Sequence, residues 1–198
     1  KRGEILIKGV RHRGRTVDLF ISGDGKIASL GPDEGKRSRK DAETRIDGSG
    51  CILIPGLVNT HTHAAMTLMR GYADDMPLTE WLEQRIWPLE ARLTGEDVYR
   101  GTRLACLEMI RSGTTAFNDM YFFMEDAARA VADAGLRATL SYGFIDLGDD
   151  ERREKEIRAT ERFVAAVKGM EDPRIRPAVG PHAVYTVSPE GLRWCGEY

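Results

Sequence analysis

Two histidines in the run Asn59-Thr60-His61-Thr62-His63 are the residues of this 198-residue chain best suited to chemistry. If the run is a β-strand, side chains two residues apart point to the same face, so His61 and His63 present their imidazoles side by side. Two neutral imidazoles that converge on one point suit Zn²⁺, and Fe²⁺ or Mn²⁺ could use the same ligands. The pair therefore predicts part of a metal site, the alternative being two histidines that are neighbours by chance.

The segment after Gly56 alternates between stretches typical of strands and stretches typical of helices. Its strands are apolar and are bounded by glycine or proline. Strands separated by helices pair in parallel, so the alternation predicts an α/β fold, either a doubly wound sheet or a (β/α) barrel. We predict strands at residues 57–62, as a buried strand, and at 114–118, 137–145 and 175–180.

The histidine pair falls at the carboxyl end of the first of these strands. In (β/α) barrels the active site is built at that end of the sheet, from the loops that follow the strands. The placement therefore favours a metal site over a chance pair.

Helices are predicted between the strands from periodicity and capping residues. Thr94 is placed as an N-cap, and Gly113 as the residue that follows the same helix. An earlier helical region is expected to stop near Trp87-Pro88, because the residue before a proline avoids the α conformation. The predicted ranges are 78–86, 96–111, 124–134, 149–170 with i,i+4 charge pairs on a solvated face, and 189–198 capped by Ser188.

The first 55 residues form a separate β-rich region. Two apolar runs flank the turn Gly23-Asp24-Gly25, which is a typical hairpin signal. We predict strands at 4–10, 17–22 and 26–30, an exposed loop over 36–47 that leads to a short strand, and a final strand at 51–54 that ends at Pro55. The expected domains are therefore residues 1–55 and residues 56–198.

The composition excludes several classes of partner. Hydrophobic residues make up 41% of the chain, charged residues 30%, and the formal net charge is -2. A near-neutral charge predicts neither nucleic acid nor an anionic membrane as a partner, and no apolar run approaches the roughly 20 residues that span a bilayer. Cys51, Cys106 and Cys195 form no CxxC pair, so we expect a reducing, cytoplasmic location rather than a disulfide framework.

The run PGLVNTHTH at residues 55–63 resembles the first-strand signature of the amidohydrolase superfamily. Further motifs resemble one branch of it, the 5′-methylthioadenosine/S-adenosylhomocysteine deaminases and the 5′-deoxyadenosine deaminases. These motifs are MTLMRG at 66–71, EWL at 80–82, WPLE at 87–90, GTTAFNDMY at 113–121 and GPHAVYT at 180–186. The resemblance covers nearly the whole chain after residue 50.

The resemblance implies a fold and an activity. The fold would be the first four β/α units of a metal-dependent (β/α)8 TIM barrel, preceded by part of a small β-sandwich domain. The activity would be hydrolytic deamination at C6 of adenine in a 5′-substituted adenosine, with ammonia released and a metal ion activating water. The partners would be a small-molecule nucleoside and, in the full-length protein, further copies of the same chain.

The resemblance also assigns residues to the site. His61 and His63 match the first two metal ligands, and Glu90 matches an acid that accepts hydrogen bonds from ribose hydroxyls. Trp81 matches an aromatic wall near the 5′ substituent, and His182 matches a histidine that hydrogen-bonds the purine. The alternatives are an exposed glutamate at a helix end, a core tryptophan, and a histidine in the core or behind the site.

One position departs from the pattern. Relatives that favour S-adenosylhomocysteine place an arginine near the end of the third strand, where this chain has Tyr142. Arg152 or Arg153, just beyond, could supply a second cationic contact, the alternative being that they belong to the solvated face of the charged helix. Because loss of a bidentate guanidinium weakens carboxylate recognition, we expect a preference for 5′-deoxyadenosine or 5′-methylthioadenosine.

The predicted site is incomplete within this chain. A catalytic zinc ion normally has three protein ligands and a water, whereas in the family the remaining histidine and aspartate ligands and the proton-shuttling glutamate come from later strands. We therefore expect no acid-base catalytic residue here. Two alternatives stay open: a catalytically incomplete half-barrel that acts as a binding or interaction module, and a sister amidohydrolase that acts on guanine or a triazine.

Overall fold

The structure is a computed structural model that describes residues 3–32 and 42–198. The chain divides into two units, Lys1–Pro55 and Gly56–Tyr198. Among the described residues, no helix combines the length and the apolar character that crossing a bilayer demands.

The first unit contains a four-stranded sheet in the order β3-β2-β1-β4. β1 pairs with β2, and β2 with β3, in antiparallel fashion, whereas β1 and β4 are parallel. Leu6, Phe20 and Ala42 are buried together on one side. Residues 36–41 of the predicted loop lie outside the described part of the chain, and the prediction is wrong for residues 44–47, which form a strand beside β1. The strands are β1 Ile5–His12, β2 Arg15–Ile21, β3 Ile27–Gly31 and β4 Thr44–Asp47.

The predicted final strand at 51–54 is wrong. Ile52 makes an isolated bridge to Arg11, with the Arg11 N–H donating to the Cys51 carbonyl and the Leu53 N–H donating to the Arg11 carbonyl. β1 ends at His12, one residue after Arg11, so β1 leaves only His12 for residues 53 and 54 to pair with. The apolar segment therefore does not form a regular strand.

The second unit is built on a parallel sheet whose strands follow one another in sequence order, β5-β6-β7-β8. A doubly wound sheet reverses its strand order at a switch point, and the described strands contain no such reversal. The arrangement is that of consecutive strands in a (β/α) barrel, which confirms the predicted α/β class. The strands are β5 Leu57–Thr62, β6 Thr114–Tyr121, β7 Arg137–Phe144 and β8 Ile175–Pro181.

Helices connect these strands and begin and end at the expected caps. Thr94 accepts a hydrogen bond from the Asp97 N–H while the Asp97 side chain bonds back, and Gly113 ends the helix with φ of 85°. The segments are a 3-10 helix Ala64–Met69, α1 Leu78–Trp81, a π-helical turn Leu82–Ile86, α2 Trp87–Glu90, α3 Gly95–Ser112, α4 Met124–Ala134, α5 Asp150–Gly169 and α6 Pro189–Glu197.

The predicted end of the helical region near Trp87-Pro88 is wrong, because the chain stays helical to Glu90. Pro88 lies in the first positions of α2, immediately after the π-helical turn. A proline at the start of a helical turn costs little, since its missing N–H would have no partner in that turn. The extension carries Glu90 to the end of α2.

The core of the second unit lies between the sheet and the helices, and it includes Phe117, Met124, Leu140 and Phe163. The prediction that β5 is a buried strand is wrong: Leu57 and Val58 are 52% and 64% exposed. Among the described strands β5 pairs only with β6, so it is an edge of the sheet.

Candidate active site

The two predicted metal ligands lie together at the carboxyl end of β5. The rings of His61 and His63 have their centroids 5.2 Å apart and are nearly perpendicular. The Nδ1 atom of His63 lies 2.6 Å from the Met120 carbonyl oxygen, an acceptor that requires Nδ1 to carry the proton. This leaves the Nε2 lone pair of His63 free for a ligand, the usual arrangement of a metal-binding histidine.

β6 fixes the backbone around this pair. Oδ1 of Asp119 accepts hydrogen bonds from the Thr62 hydroxyl at 2.8 Å and from the Ala64 N–H at 2.9 Å. Burial raises the pKa of the Asp119 carboxyl, and these two bonds oppose the shift. The neighbouring Cys106 thiol is also buried, and burial together with the Asp119 charge raises its pKa to about 12.

Glu90 brings a carboxylate towards the pair from the end of α2. Its Oε1 atom accepts a hydrogen bond of 2.7 Å from the Tyr121 hydroxyl, and the Tyr121 ring centroid lies 6.2 Å from that of His63. Burial raises the pKa of Glu90, while the Tyr121 hydrogen bond and the His63 charge act in the opposite direction. Glu90 is therefore a half-buried acceptor held beside His63, not a solvated helix end.

His182 follows β8, at the same carboxyl end of the parallel sheet as the histidine pair. The backbone N–H of His182 donates to the Phe144 carbonyl at 3.1 Å, and its ring Nδ1 atom lies 2.9 Å from the Thr186 hydroxyl. Partial desolvation lowers the pKa of His182, and the charge of His63 lowers it further. The structure thus brings His182 within electrostatic reach of the histidine pair and favours its neutral form.

Trp81 lines a cavity of about 600 Å³ between the 3-10 helix and α1. Three methionines, Met66, Met69 and Met76, line the same cavity, together with Arg70, whose guanidinium pairs with Glu108 at 2.8 Å. Thioether and indole groups make an apolar part of the wall that adapts to the shape of a ligand, and Asp74 and Asp75 add two carboxylates to the lining.

A second group of predicted contacts, Tyr142, Arg152 and Arg153, lies at the end of β7 and the start of α5. The rings of Tyr121 and Phe122 lie between His63 and Tyr142. The Tyr142 hydroxyl bonds the Glu156 carboxylate of α5, and burial with that charge raises its pKa to about 12.

Both arginines of this second group already have partners. Nε of Arg152 donates to the Ile145 carbonyl at 2.6 Å, and Arg153 pairs with Asp150 at 2.8 Å. The charged stretch is otherwise the solvated helix face that the sequence predicts, with the pairs Lys155–Glu151 at 2.8 Å and Arg158–Glu154 at 3.3 Å.

Several groups that support the site have no role in the sequence-based prediction. Asp119 and Tyr121 stand two residues apart on β6, so their side chains share one face, and the Met120 carbonyl between them holds His63. The signal in the sequence was the alternation of Asp119 and Tyr121 on the strand that follows the histidine pair along the chain. Thr186, in the motif after β8, holds His182.

The fit to a metal ion is partial. His61 and His63 supply two imidazoles with the right chemistry, but no group of three or more His, Cys, Asp or Glu side chains suited to a metal ion occurs within residues 3–32 and 42–198. A catalytic zinc ion requires three protein ligands, so the two histidines alone do not make such a site.

The sequence of this chain is highly similar to those of curated relatives. It is 63% identical over 194 residues to the 5′-deoxyadenosine deaminase of Methanoregula boonei, covering 98% of this chain and 44% of the relative. It is 54% identical over 188 residues to the 5′-deoxyadenosine deaminase of Methanocaldococcus jannaschii, covering 95% and 44%. The chain thus spans less than half the length of the curated relatives it matches.

Solved structures show the same architecture. An adenosine deaminase from Xanthomonas campestris with bound zinc superimposes with a TM-score of 0.85 and 32% identity, covering 100% of this chain and 47% of that one. A guanine deaminase from Escherichia coli, at 21% identity and a TM-score of 0.75, shares the fold over 100% of this chain and 50% of its own. The model of the amidohydrolase family matches residues 52–198, which include the parallel strands and the histidine pair. The chain therefore belongs to the amidohydrolase family.

Proposed function

We propose that this chain forms part of a metal-dependent deaminase that hydrolyses the C6 amino group of 5′-deoxyadenosine and releases ammonia. The observation that carries the proposal is the arrangement at the carboxyl end of the sheet. There His61 and His63 adjoin each other, Glu90 is held beside them through Tyr121, and His182 interacts with His63. The identity of 63% to a 5′-deoxyadenosine deaminase supports this choice of substrate.

In this proposal His61 and His63 hold a zinc ion together with ligands from outside the described residues. Zinc suits two imidazoles, and the Xanthomonas campestris relative contains it. A bound divalent ion would act as a Lewis acid and lower the pKa of its water so that hydroxide is available at neutral pH.

The free cysteines Cys51, Cys106 and Cys195 support a cytoplasmic location.

The remaining residues bind and orient the nucleoside. Oε1 of Glu90 is held by the Tyr121 hydroxyl, and Oε2 can accept two hydrogen bonds from the adjacent ribose hydroxyls. The neutral His182 can offer one ring nitrogen to the purine while Thr186 holds the other. The methionine cavity with Trp81 accommodates the 5′ end, where an apolar wall suits a methyl or methylthio group better than a charged one.

The activity is tested by ammonia release from 5′-deoxyadenosine, using the protein in its full natural length. We expect His61→Asn and His63→Asn to lower kcat at least about 100-fold, since a loss of that order follows from removing a ligand of the activating metal ion. His12→Asn is the matched control, because His12 lies in the first unit with its ring on the Leu53 carbonyl. Full activity in both site variants would refute the proposal.

We further propose that the enzyme prefers 5′-deoxyadenosine and 5′-methylthioadenosine over S-adenosylhomocysteine. At position 142 a neutral phenol is paired with the carboxylate of Glu156, and the nearby Arg152 and Arg153 already have partners. A substrate carboxylate would therefore meet no guanidinium at position 142, while Arg152 is held by the Ile145 carbonyl and Arg153 by Asp150.

The preference is measured as kcat/KM for the three nucleosides. We expect S-adenosylhomocysteine to have the lowest value, and Tyr142→Arg to raise that value relative to 5′-deoxyadenosine, because the new guanidinium can pair with a carboxylate. Tyr142→Phe is the control, since it removes the hydroxyl without adding a cation. An equal or higher kcat/KM for S-adenosylhomocysteine in the unchanged enzyme would contradict the preference.

A further inference from the structure

We propose that Asp119 is a positioning residue for the histidine pair. Its Oδ1 atom accepts hydrogen bonds from the residues on either side of His63, namely the Thr62 hydroxyl and the Ala64 N–H. It thereby holds His63 in the orientation that leaves Nε2 free for a metal ion. The inference rests on the proposed metal-dependent function, to which it adds the group that fixes the ligand.

The regular β-ladder does not fix the chain at this point. The pairing of β5 with β6 is irregular between Asn59 and Thr62, and Thr62 meets Asp119 only after that shift. His63 then takes a non-helical conformation, with φ of -124° and ψ of 73°, and the 3-10 helix that starts at Ala64 has no side-chain cap from His63. The two hydrogen bonds to Asp119 tie down the transition from strand to helix.

The next residue of β6, Met120, contacts His63 itself. The Met120 carbonyl accepts the Nδ1 proton of His63 at 2.6 Å. Asp119 and Met120 thus contact three consecutive residues, Thr62, His63 and Ala64. Because Asp119 fixes the backbone on both sides, the His63 ring stays within reach of the Met120 carbonyl, which sets the tautomer.

The burial of Asp119 indicates a specific role for its carboxylate. The residue is only 1% exposed, and its Oδ2 atom is buried without a hydrogen-bond partner among the described residues. A buried carboxylate with an unused oxygen is unfavourable for folding, and an apolar side chain of similar volume would pack at lower cost. Packing alone therefore does not account for a buried hydrogen-bond acceptor at this position, whereas the two bonds around His63 do.

The first test measures zinc affinity in the full-length protein with a competing chelator. We expect Asp119→Ala to weaken zinc binding by about 10- to 100-fold, the usual effect of removing a group that orients a metal ligand. Asp119→Asn keeps an oxygen that can accept both bonds, so its affinity should stay within about threefold of wild type. Thr62→Val removes the bond to Asp119 together with the 2.9 Å contact of the same hydroxyl to the Asn118 carbonyl, and we expect an intermediate loss.

Asp146→Ala is the matched control. Asp146 is equally buried, but its carboxylate accepts hydrogen bonds from Ser188 at the start of α6. We expect this variant to lose stability without losing zinc affinity. If Asp119→Ala does not fold, the comparison of Thr62→Val with Asp119→Asn decides the matter, because the proposal requires the threonine variant to bind zinc more weakly.

A second readout is independent of metal and of activity. In metal-free protein, ¹H–¹⁵N spectra of labelled histidine should show His63 as the single Nδ1-protonated tautomer, identified by loss of its signal in His63→Gln. We expect Asp119→Ala to give a mixture of tautomers and Asp119→Asn to keep the single one. A wild type without zinc affinity would refute the proposed function, while the tautomer comparison still tests Asp119. If Asp119→Ala bound zinc as tightly as wild type, or kept the single Nδ1-protonated tautomer of His63, the positioning role would be overturned.

Discussion

Glu90 illustrates how a single side chain gains a role from its surroundings. Its carboxylate is half-buried, and Tyr121 occupies one of its oxygens. A partly desolvated acceptor forms stronger hydrogen bonds than a solvated one, and a bond to a charged group contributes about 1.5–3 kcal/mol. The second oxygen is therefore suited to bind a pair of hydroxyls.

We expect Glu90→Gln to raise KM for 5′-deoxyadenosine by about 10- to 100-fold, because an amide accepts hydrogen bonds more weakly than a carboxylate. Steady-state kinetics on the full-length protein provide the measurement. Glu83→Gln, on the exposed side of the π-helical turn, is the control and should leave KM unchanged. An unchanged KM in Glu90→Gln would exclude Glu90 from ribose binding.

Glu156 predicts how stability depends on pH. Burial raises its pKa above the ordinary value of 4.5, and the bonds from Ile145 and Tyr142 only partly oppose the shift. A raised pKa means that the folded state binds the proton more tightly than the unfolded state. The stabilisation is therefore present below the unfolded pKa and is lost as pH rises through the folded one.

Glu156→Gln removes this ionisation while keeping an oxygen for the Tyr142 hydroxyl. We expect its free energy of unfolding, relative to wild type, to increase between about pH 4 and about pH 8. Urea denaturation at several pH values measures it, and the exposed Glu161→Gln is the control. A difference that is constant with pH would contradict the assignment.

At the scale of elements, α3 approaches the 3-10 helix unusually closely. A Cβ atom placed on Gly101 would lie 2.5 Å from the Ala65 carbonyl oxygen. This contact joins α3 to the segment that immediately follows His63, so glycine at this position lets the helix support the histidine pair.

We expect Gly101→Ala to destabilise the protein by about 1–3 kcal/mol, the usual cost of overpacking. Gly169→Ala is the matched control, because its Cβ would meet nothing within 4 Å in α5, and there the higher helix propensity of alanine should stabilise by up to about 1 kcal/mol. Urea denaturation measures both variants. Equal effects of the two substitutions would show that the close approach is unimportant.

Elements whose signals are local could be predicted from the sequence. Thr94 and Gly113 locate α3 to within one residue, because a capping side chain and a left-handed glycine act only on neighbouring residues. The prediction for α2 was wrong because a π-helical turn places Pro88 at the start of a helical turn, which no local rule indicates. The exposure of β5 depends on which strands pair with it, and a single apolar run does not show this.

The same distinction applies to the site. The spacing of His61 and His63 predicts their proximity, since the strand period of two places them on one face. The partners that fix them are distant in sequence: Glu90 and Tyr121 are 31 residues apart, and Ala64 and Asp119 are 55 apart. Such contacts follow from the packing of β6 against β5, which residue spacing alone does not specify.

At the scale of the whole molecule, four parallel strands in sequence order bring the loops after β5 and β8 to the carboxyl end of the sheet. His61, His63 and His182 lie at that end, and the Trp81 cavity follows β5. The described residues contain no group of three His, Cys, Asp or Glu side chains that could hold a metal ion. Because a catalytic zinc ion needs three protein ligands, we expect the ion to bind tightly only in the full-length protein.

The zinc content of the full-length protein, measured after dialysis against metal-free buffer, tests the role of the histidine pair most directly. We predict about one zinc ion per chain in wild type and in His12→Asn, and less than about a tenth of that in the double variant His61→Asn, His63→Asn, because two of the ligands are then lost. A double variant that retains zinc at the wild-type level while remaining folded would contradict the assignment of these histidines as metal ligands.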